Sequence, residues 1–301
     1  MTSCKQGPSI LPPGDFPTAP SPRRFSLRHG FLALWLAVAG VASAHGDLHE
    51  SIVAVTAEIE KSPQDGALYL RRAMLHAAHE DVRPAEADFA RAEALKADAS
   101  AIWLGRGRLQ LAVGRLAEAR ATLDQLLARE PHHVEALVTR ARARARLRDA
   151  EAAAADFTAA IAASGHPEPE YFLERAEVRA SMEPPRYEEA IRSLDDGLKR
   201  LGEGVLTLQL AAIDLEVEAG RIEAALSRID RVAATAVRKE SWLTRRGDLL
   251  AGAGRTDEAR RAYEQALAAL AILPARARAT RTMADLEMRI RMALAALAPA
   301  R

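Results

Sequence analysis

The chain has 301 residues, of which 49% are hydrophobic, 28% charged and only 4% aromatic. That is an ordinary composition for a soluble helical protein, and it excludes a core built on bulky rings in favour of one built on Ala and Leu. The 42 basic and 41 acidic residues nearly cancel, so nothing pulls the chain generally towards nucleic acid, and a single cysteine, Cys4, excludes a disulfide framework.

From the start, Met1 to Ser21 is rich in Pro, Gly and Ser and is expected to be disordered. Arg23, Arg24 and Arg28 then precede the apolar run Phe31–Val41, which is followed by Ala42-Ser43-Ala44. A basic region, a short apolar core and an A-x-A site in that order predict a secretory signal peptide cleaved after Ala44. The alternative, an uncleaved anchor, is disfavoured because the run falls short of the ~20 residues a spanning helix needs. Residues 1–44 are thus expected to be leader, the mature protein periplasmic or secreted, and membrane contact confined to the uncleaved signal. Phe25 directly after Arg23-Arg24 fits a twin-arginine export signal poorly, and Cys4 lies ahead of the apolar run rather than after a lipobox. Removing Lys5, Arg23, Arg24, Arg28 and Asp15 with the leader leaves two more acids than bases.

Within residues 45–65, Ile52, Val55 and Ile59 fall at helical spacing and Pro63 ends the run, which predicts a lone lead helix. The next stretches repeat. Ser100 to His133 reads as helix, turn, helix: Trp103, Leu109 and Leu111 in the first helix, Gly114-Arg115 at the turn, then Ala119, Leu123 and Leu126 on one face and Pro131 as the stop. Gly107 is expected to leave room for a neighbouring backbone. The second-helix signature recurs as Ala85-Phe89-Ala92, Ala119-Leu123-Leu126, Ala153-Phe157-Ala160, Ala190-Leu194-Gly197, Ala225-Ile229-Val232 and Ala259-Tyr263-Ala266. The leading alanines lie 34, 34, 37, 35 and 34 residues apart. Small residues precede them at Ala73, Gly107, Ala141, Ala176 and Gly247, with Ile213 as the exception. One such signature arises by chance in Ala-rich helices; six in near-constant phase do not. A lone hairpin cannot bury its apolar face, and stacking neighbours buries a continuous core.

This pattern resembles the tetratricopeptide repeat (TPR), W-x2-L-G-x2-Y…A-x3-F-x2-A…P at a period of 34. The resemblance covers 66–274 and implies an all-α solenoid of about six helical hairpins at 66–99, 100–133, 134–168, 169–205, 206–239 and 240–274. The fourth departs from the pattern, with a turn two residues longer carrying Glu183-Pro184-Pro185-Arg186 after a Pro-rich linker, Gly165 to Pro169. Residues 275–301 are expected to be a capping helix and tail: one helix, Ala275 to Leu297, with Met283, Leu286, Ile290, Leu294 and Leu297 on its inner stripe. Arg281, Glu287, Arg289 and Arg291 would give it a polar outer face.

Chemistry-bearing residues are few. The sequence contains no H-E-x-x-H, G-x-S-x-G or Gly-rich phosphate loop, which argues against an enzyme and for no cofactor. His45, as a new amino terminus, would offer amine and imidazole nitrogens that suit copper, with His49 nearby; a copper-binding accessory protein is therefore the rival reading. His76 is expected in the core and His132-His133 as a solvated pair. Arg140, Arg142, Arg144, Arg146 and Arg148 alternate, so on a helix they advance about 200° per step and cannot share one nucleic-acid-binding face. A solvated helix with one or two groove-facing arginines is expected. Arg72 and Asp88, and likewise Arg140 and Asp156, are 16 apart at equivalent positions, as ion pairs between paired helices would be, worth ~1 kcal/mol or less each if exposed.

The resemblance also implies where a partner sits: in a concave groove lined by first helices. Repeat position five holds Leu70, Leu104, Val138, Leu173, Leu210 and Thr244, an apolar row; position nine holds Met74, Arg108, Arg142, Glu177, Asp214 and Asp248, basic early and acidic later. The family's carboxylate clamp needs Lys, Asn and Arg where this chain has Leu70, Met74, Gly105, Glu135 and Thr139, so that ligand is not expected. The function implied is a non-catalytic scaffold that binds a protein or peptide, its identity unknown, and no nucleic acid.

Overall fold

A computed structural model describes the backbone of residues 38–297 and the side chains of residues 48–297. The chain forms two units, Met1–Asp47 and Leu48–Arg301. The leader residues Arg23 to Phe31, Cys4 and the His45 side chain lie outside the described residues, as does most of the first unit.

The described residues are all-α. Helix α1, Val38–Lys61, is the lead helix, and six hairpins follow it. Their first helices are α2 (Gly66–Ala78), α4 (Ala99–Ala112), α6 (Val134–Arg146), α8 (Pro169–Ala180), α10 (Leu206–Glu218) and α12 (Glu240–Gly252). Their second helices are α3 (Val82–Ala94), α5 (Leu116–Arg129), α7 (Ala150–Ala163), α9 (Tyr187–Leu201), α11 (Ile222–Thr235) and α13 (Thr256–Ala271). Each second helix packs on its own first helix and on the next repeat's, while α2 touches α4, α4 touches α6 and α8 touches α10 directly. First helices are therefore neighbours along one side of the array in repeats one to three and again in repeats four and five.

Local chemistry fixes the boundaries. Asp65 and Asp98 accept the backbone N–H of Ala67 and Ser100, each at 2.9 Å, and so cap α2 and α4. The turn between paired helices passes through a left-handed residue once per repeat: Glu80, Gly114, Arg148, Gly220 and Gly254 all have positive φ, at 59–79°. Repeat four escapes the rule through its longer turn. Arg148, at φ 66°, takes a conformation that glycine adopts without steric cost.

The signature residues form the core. Each leading alanine is fully buried, as are Phe89, Leu123, Leu194 and Ile229, with Phe157 and Tyr263 at 1–2% exposure. The small residue of the first helix makes room for a side chain rather than a backbone: a Cβ on Gly107 would meet Leu123 at 2.8 Å, and one on Gly247 would meet the Tyr263 ring at 2.6 Å. Both partners lie 16 residues on. Repeat five instead packs Ile213 against Ile229.

A second periodicity runs beneath the first. Position seven of the first helix is Arg72, Arg106, Arg140, Arg175 and Arg246 in five repeats. Arg72 donates Nε and Nη2 to the Asp88 carboxylate at 2.7 Å each, and Nη1 to Thr56 of α1 at 3.1 Å. Arg140 does the same to Asp156 at 2.9 and 2.7 Å, and reaches Asp124 of the preceding repeat at 2.7 Å. Burial works against the Arg140 charge, and the two carboxylates more than offset it. Asp88 and Asp156 are buried, so these pairs clamp helix to helix from inside the packing instead of at the surface. Arg246 reaches back to Asp230 and Arg106 to Glu86. Repeat five has Ala212 at this position and inverts the pair: Arg228 of α11 donates to Glu216 of α10 at 2.7 Å and lies 2.9 Å from Asp195. Repeat four replaces the aspartate with Ser193, whose Oγ accepts from Arg175 Nε at 2.6 Å. Burial accordingly lowers the Arg175 pKa.

The C-terminal segment is not one helix. A four-residue turn of helix, α14 (Ala275–Arg278), is followed by Thr280 in extended conformation and by α15 (Arg281–Ala296). Thr280 Oγ1 bonds back to the Ala277 carbonyl at 2.8 Å, closing the first piece. The inner stripe is as expected, with Ile290 fully buried and Met283 9% exposed. The outer face is not uniformly polar, because Met288 and Met292 stand 58% and 67% exposed on it. No helix among the described residues is long and apolar enough to cross a membrane.

Candidate peptide-binding groove

The residues at positions five and nine all sit on first helices. Position five does not form a continuous apolar floor. Leu70, Val138 and Thr244 are buried between repeats, Leu104 and Leu173 are half-buried, and Leu210 is exposed. Thr244 turns its hydroxyl back onto the Glu240 carbonyl at 2.7 Å, so it offers the groove nothing.

Two cavities gather five of the expected groove residues, Arg108, Val138, Arg142, Leu210 and Asp248, and leave out Leu70, Leu104, Leu173, Glu177 and Asp214. One, about 510 Å³ between α4, α6 and α8, brings Arg108, Val138, Arg142 and Arg146 together with Glu135 and Tyr171. Arg142 is held by Glu174 of α8, with Nη2 and Nε donating at 2.7 and 2.8 Å; that pairing raises its pKa. Arg146 donates to the Leu111 carbonyl at 2.7 Å. No hydrogen bond or ion pair engages the exposed Arg108 among the described residues. The second cavity, about 890 Å³, lies where α10, α12 and α15 converge and includes Leu210, Trp242, Arg245, Asp248 and Leu286.

The simple gradient of charge is softened by neighbours. Asp214 is paired with Arg245, and Asp248 accepts the Tyr263 hydroxyl at 2.7 Å with Arg289 at 3.7 Å. Burial, and then that bond to Asp248, push the Tyr263 pKa far above its ordinary value. Glu177 has no cation beside it. Its side chain reaches solvent, yet the surrounding groove shields it, and burial with the nearby Glu174 raises its pKa.

The arginine run divides between a buried-carboxylate network and an exposed face. Arg140 and Arg144 both donate to Asp156, Arg142 and Arg146 are exposed along the cavity between α4, α6 and α8, and Arg148 is exposed at the turn. Its function is therefore divided between the clamp and the groove, and periodicity alone did not separate the two. His133 is not merely solvated: Nδ1 accepts the Ala136 N–H at 3.4 Å and caps α6, while His132 is exposed. His76 is half-buried with Nδ1 3.7 Å from Asp81. Among the described residues no group of three or more His, Cys, Asp or Glu is placed to hold a metal, and the copper reading falls on His45, whose side chain is outside them.

Comparison with known families gives two matches. A tetratricopeptide repeat model matches residues 70–129 and 104–167, and a tetratricopeptide repeat-like domain matches 187–284. These stretches are tetratricopeptide-repeat sequence. Between them lie α8 and the long turn of the aberrant fourth repeat. Nothing among the curated proteins compared matches the chain. Solved structures share the fold. The C-terminal part of a TPR repeat-containing protein from Cytophaga hutchinsonii aligns at TM-score 0.59 and 15% identity, over 81% of this chain and 95% of that one. A tetratricopeptide repeat protein from Parabacteroides merdae aligns at 0.50 and 17%, over 85% and 94%. PilW, described as a type IV pilus biogenesis factor, aligns at 0.52 and 20%, over 68% and 94%.

Proposed function

Taking the chain as an all-α tetratricopeptide-repeat solenoid, we propose that it is a non-catalytic scaffold whose first-helix face binds a protein or peptide. The observation that carries this is Arg108: a guanidinium without a partner on the rim of a cavity that also holds Val138, Tyr171, Arg142 and Arg146. The arginines that clamp one helix to the next are paired, as Arg72, Arg140 and Arg228 are. An unpaired one beside apolar surface suits an acidic group next to an apolar anchor, and its charge would set orientation and on-rate more than affinity. Glu177 and the exposed Leu210 further along favour a partner whose other end carries a basic group and a second apolar anchor. Export supplies the setting: the basic, apolar, A-x-A order at residues 23–44 favours a periplasmic or secreted protein.

A photo-cross-linking residue at Arg108, compared with one at the exposed Arg192 on a second helix, tests the face. Adducts with a discrete partner at 108 and none at 192 are expected; equal labelling or none at 108 refutes the site. Amino-terminal sequencing of the secreted protein should begin at His45, and an intact leader would refute export.

A further inference from the structure

Resting on the reading of the first-helix face as a binding surface, we propose that the cavity between α4, α6 and α8 takes an extended peptide segment laid along α6, with an acidic residue at one end and a basic residue four positions away at the other. The cavity is bipolar. Its cationic end holds Arg108, which makes no ion pair among the described residues, and Arg146, which spends one donor on the Leu111 carbonyl and keeps its charge unmatched. Its acidic end holds Glu168, whose side chain makes no hydrogen bond or ion pair among the described residues, and Glu135. Glu135 lies 3.3 Å from His133 Nδ1, but that nitrogen accepts the Ala136 N–H, so the ring is neutral and leaves the carboxylate uncompensated. Arg142, between the ends, is already matched by Glu174 and contributes wall rather than free charge. Tyr171 also stands between them. It is 8% exposed, yet its hydroxyl has no hydrogen-bond partner among the described residues and is not sealed from solvent. Burial, and then Glu168, raise its pKa while Arg142 pulls the other way, so the phenol stays protonated and free to donate.

Spacing and charge together select the occupant. Glu135 and Arg146 are eleven residues apart on α6, about three turns and ~16 Å, so they share a face. Arg108 holds the same repeat position on the neighbouring α4 as Arg142 on α6, which is seven residues or ~10 Å beyond Glu135. A carboxylate resting between Arg108 and Arg146 is therefore ~13 Å from the acidic end, the length of four extended residues at ~3.3 Å each. That even spacing sets both charged side chains, and the residue midway, on one side of the strand. The middle side chain then lies over Val138, and the Tyr171 hydroxyl donates to a backbone carbonyl of the peptide. A segment with two acidic residues sets one of them against Glu135 and Glu168, and a segment with two basic residues sets one against Arg108 and Arg146. The mixed pair alone is favoured at both ends, and it lies one way along α6.

Calorimetric titration of the full chain with end-blocked synthetic peptides of one length, built on Asp-x-Leu-x-Lys with serine at x, tests this. Charges four apart should bind about tenfold more tightly than charges adjacent or eight apart, or than a peptide with glutamine for lysine, and salt should erode the advantage. Glu168→Lys loses no side-chain bond and should reverse the choice, weakening that peptide about tenfold and favouring Asp-x-Leu-x-Asp. Tyr171→Phe should weaken it about three- to tenfold at an unchanged melting temperature, because the hydroxyl makes no internal bond. Equal affinity for the glutamine peptide, an unaltered preference in Glu168→Lys, or wild-type binding by Tyr171→Phe overturns the proposal. If Arg108→Glu still weakens acidic peptides in that case, the wider reading of the face survives. Binding of none of these peptides also overturns the proposal, and the cross-link at 108 then judges the face by itself.

Discussion

Arg72→Ala should be among the most damaging single substitutions at the N-terminal end. It removes two 2.7 Å bonds to Asp88 and the 3.1 Å bond to Thr56, which joins α1 to the array. Asp88 is 6% exposed, so its carboxylate cannot recover those bonds from water. Breaking a buried pair by removing one partner costs about 3–5 kcal/mol. The Arg72 side chain is 20% exposed, and screening there brings the expectation below that range, to about 2–3 kcal/mol. Arg71→Ala is the control: its pair with Glu58 is exposed on both sides and should be worth about 0–0.5 kcal/mol. Arg72→Met with Asp88→Leu removes both charges and should recover most of the loss. Repeat arrays do not always unfold in two states, so the assay is hydrogen exchange of α2 and α3 alongside urea unfolding followed by circular dichroism. If Arg72→Ala costs no more than Arg71→Ala, or if the double substitution costs the sum of its parts, the clamp is not what joins these helices.

Ser193→Ala should destabilise by about 1.5–3 kcal/mol in urea titration, because it removes an acceptor from the buried Arg175, whose nearest carboxylate, on the exposed Asp196, is 3.4 Å away. Arg148→Gly should stabilise by about 1 kcal/mol by relieving a left-handed non-glycine residue, read as a raised melting temperature. Glu177→Gln should stabilise the protein at neutral pH. The folded pKa of Glu177 is raised, so its charge disfavours the fold above that pKa; the mutant's advantage should shrink as pH falls towards the ordinary carboxylate range, and an advantage independent of pH contradicts the burial argument.

The repeat was legible because its signals are local and periodic. Ala85-Phe89-Ala92 and its five successors name the buried face directly, since the second helix has one stripe and that stripe is the core. The Arg72–Asp88 and Arg140–Asp156 pairs were legible from spacing, but their burial was not, because spacing carries no information on which face a neighbouring repeat will cover. The full ladder had a signal that went unread: arginine at 72, 106 and 140 repeats at the same 34 residues as the alanines. The groove was only partly legible. Val138 and Leu104 occupy the same repeat position, yet one is closed by packing and the other half-open, and Asp214 looked free until Arg245 of the next first-helix neighbour was placed beside it. Such cross-repeat partners lie about 31–32 residues away, where no helical periodicity points. The break at Thr280 was hidden because Ala275 to Leu297 contains no proline or glycine to mark it.

The central claim is that the first-helix face is the binding surface, and Arg108→Glu tests it most directly because that side chain has no internal bond to lose. Titrated with peptides selected from a random library against the wild type, the variant should keep its helical spectrum and melting temperature while losing acidic peptides about tenfold or more, and that loss should diminish as salt is raised. Unchanged affinity for those peptides, with the fold intact, would contradict the account.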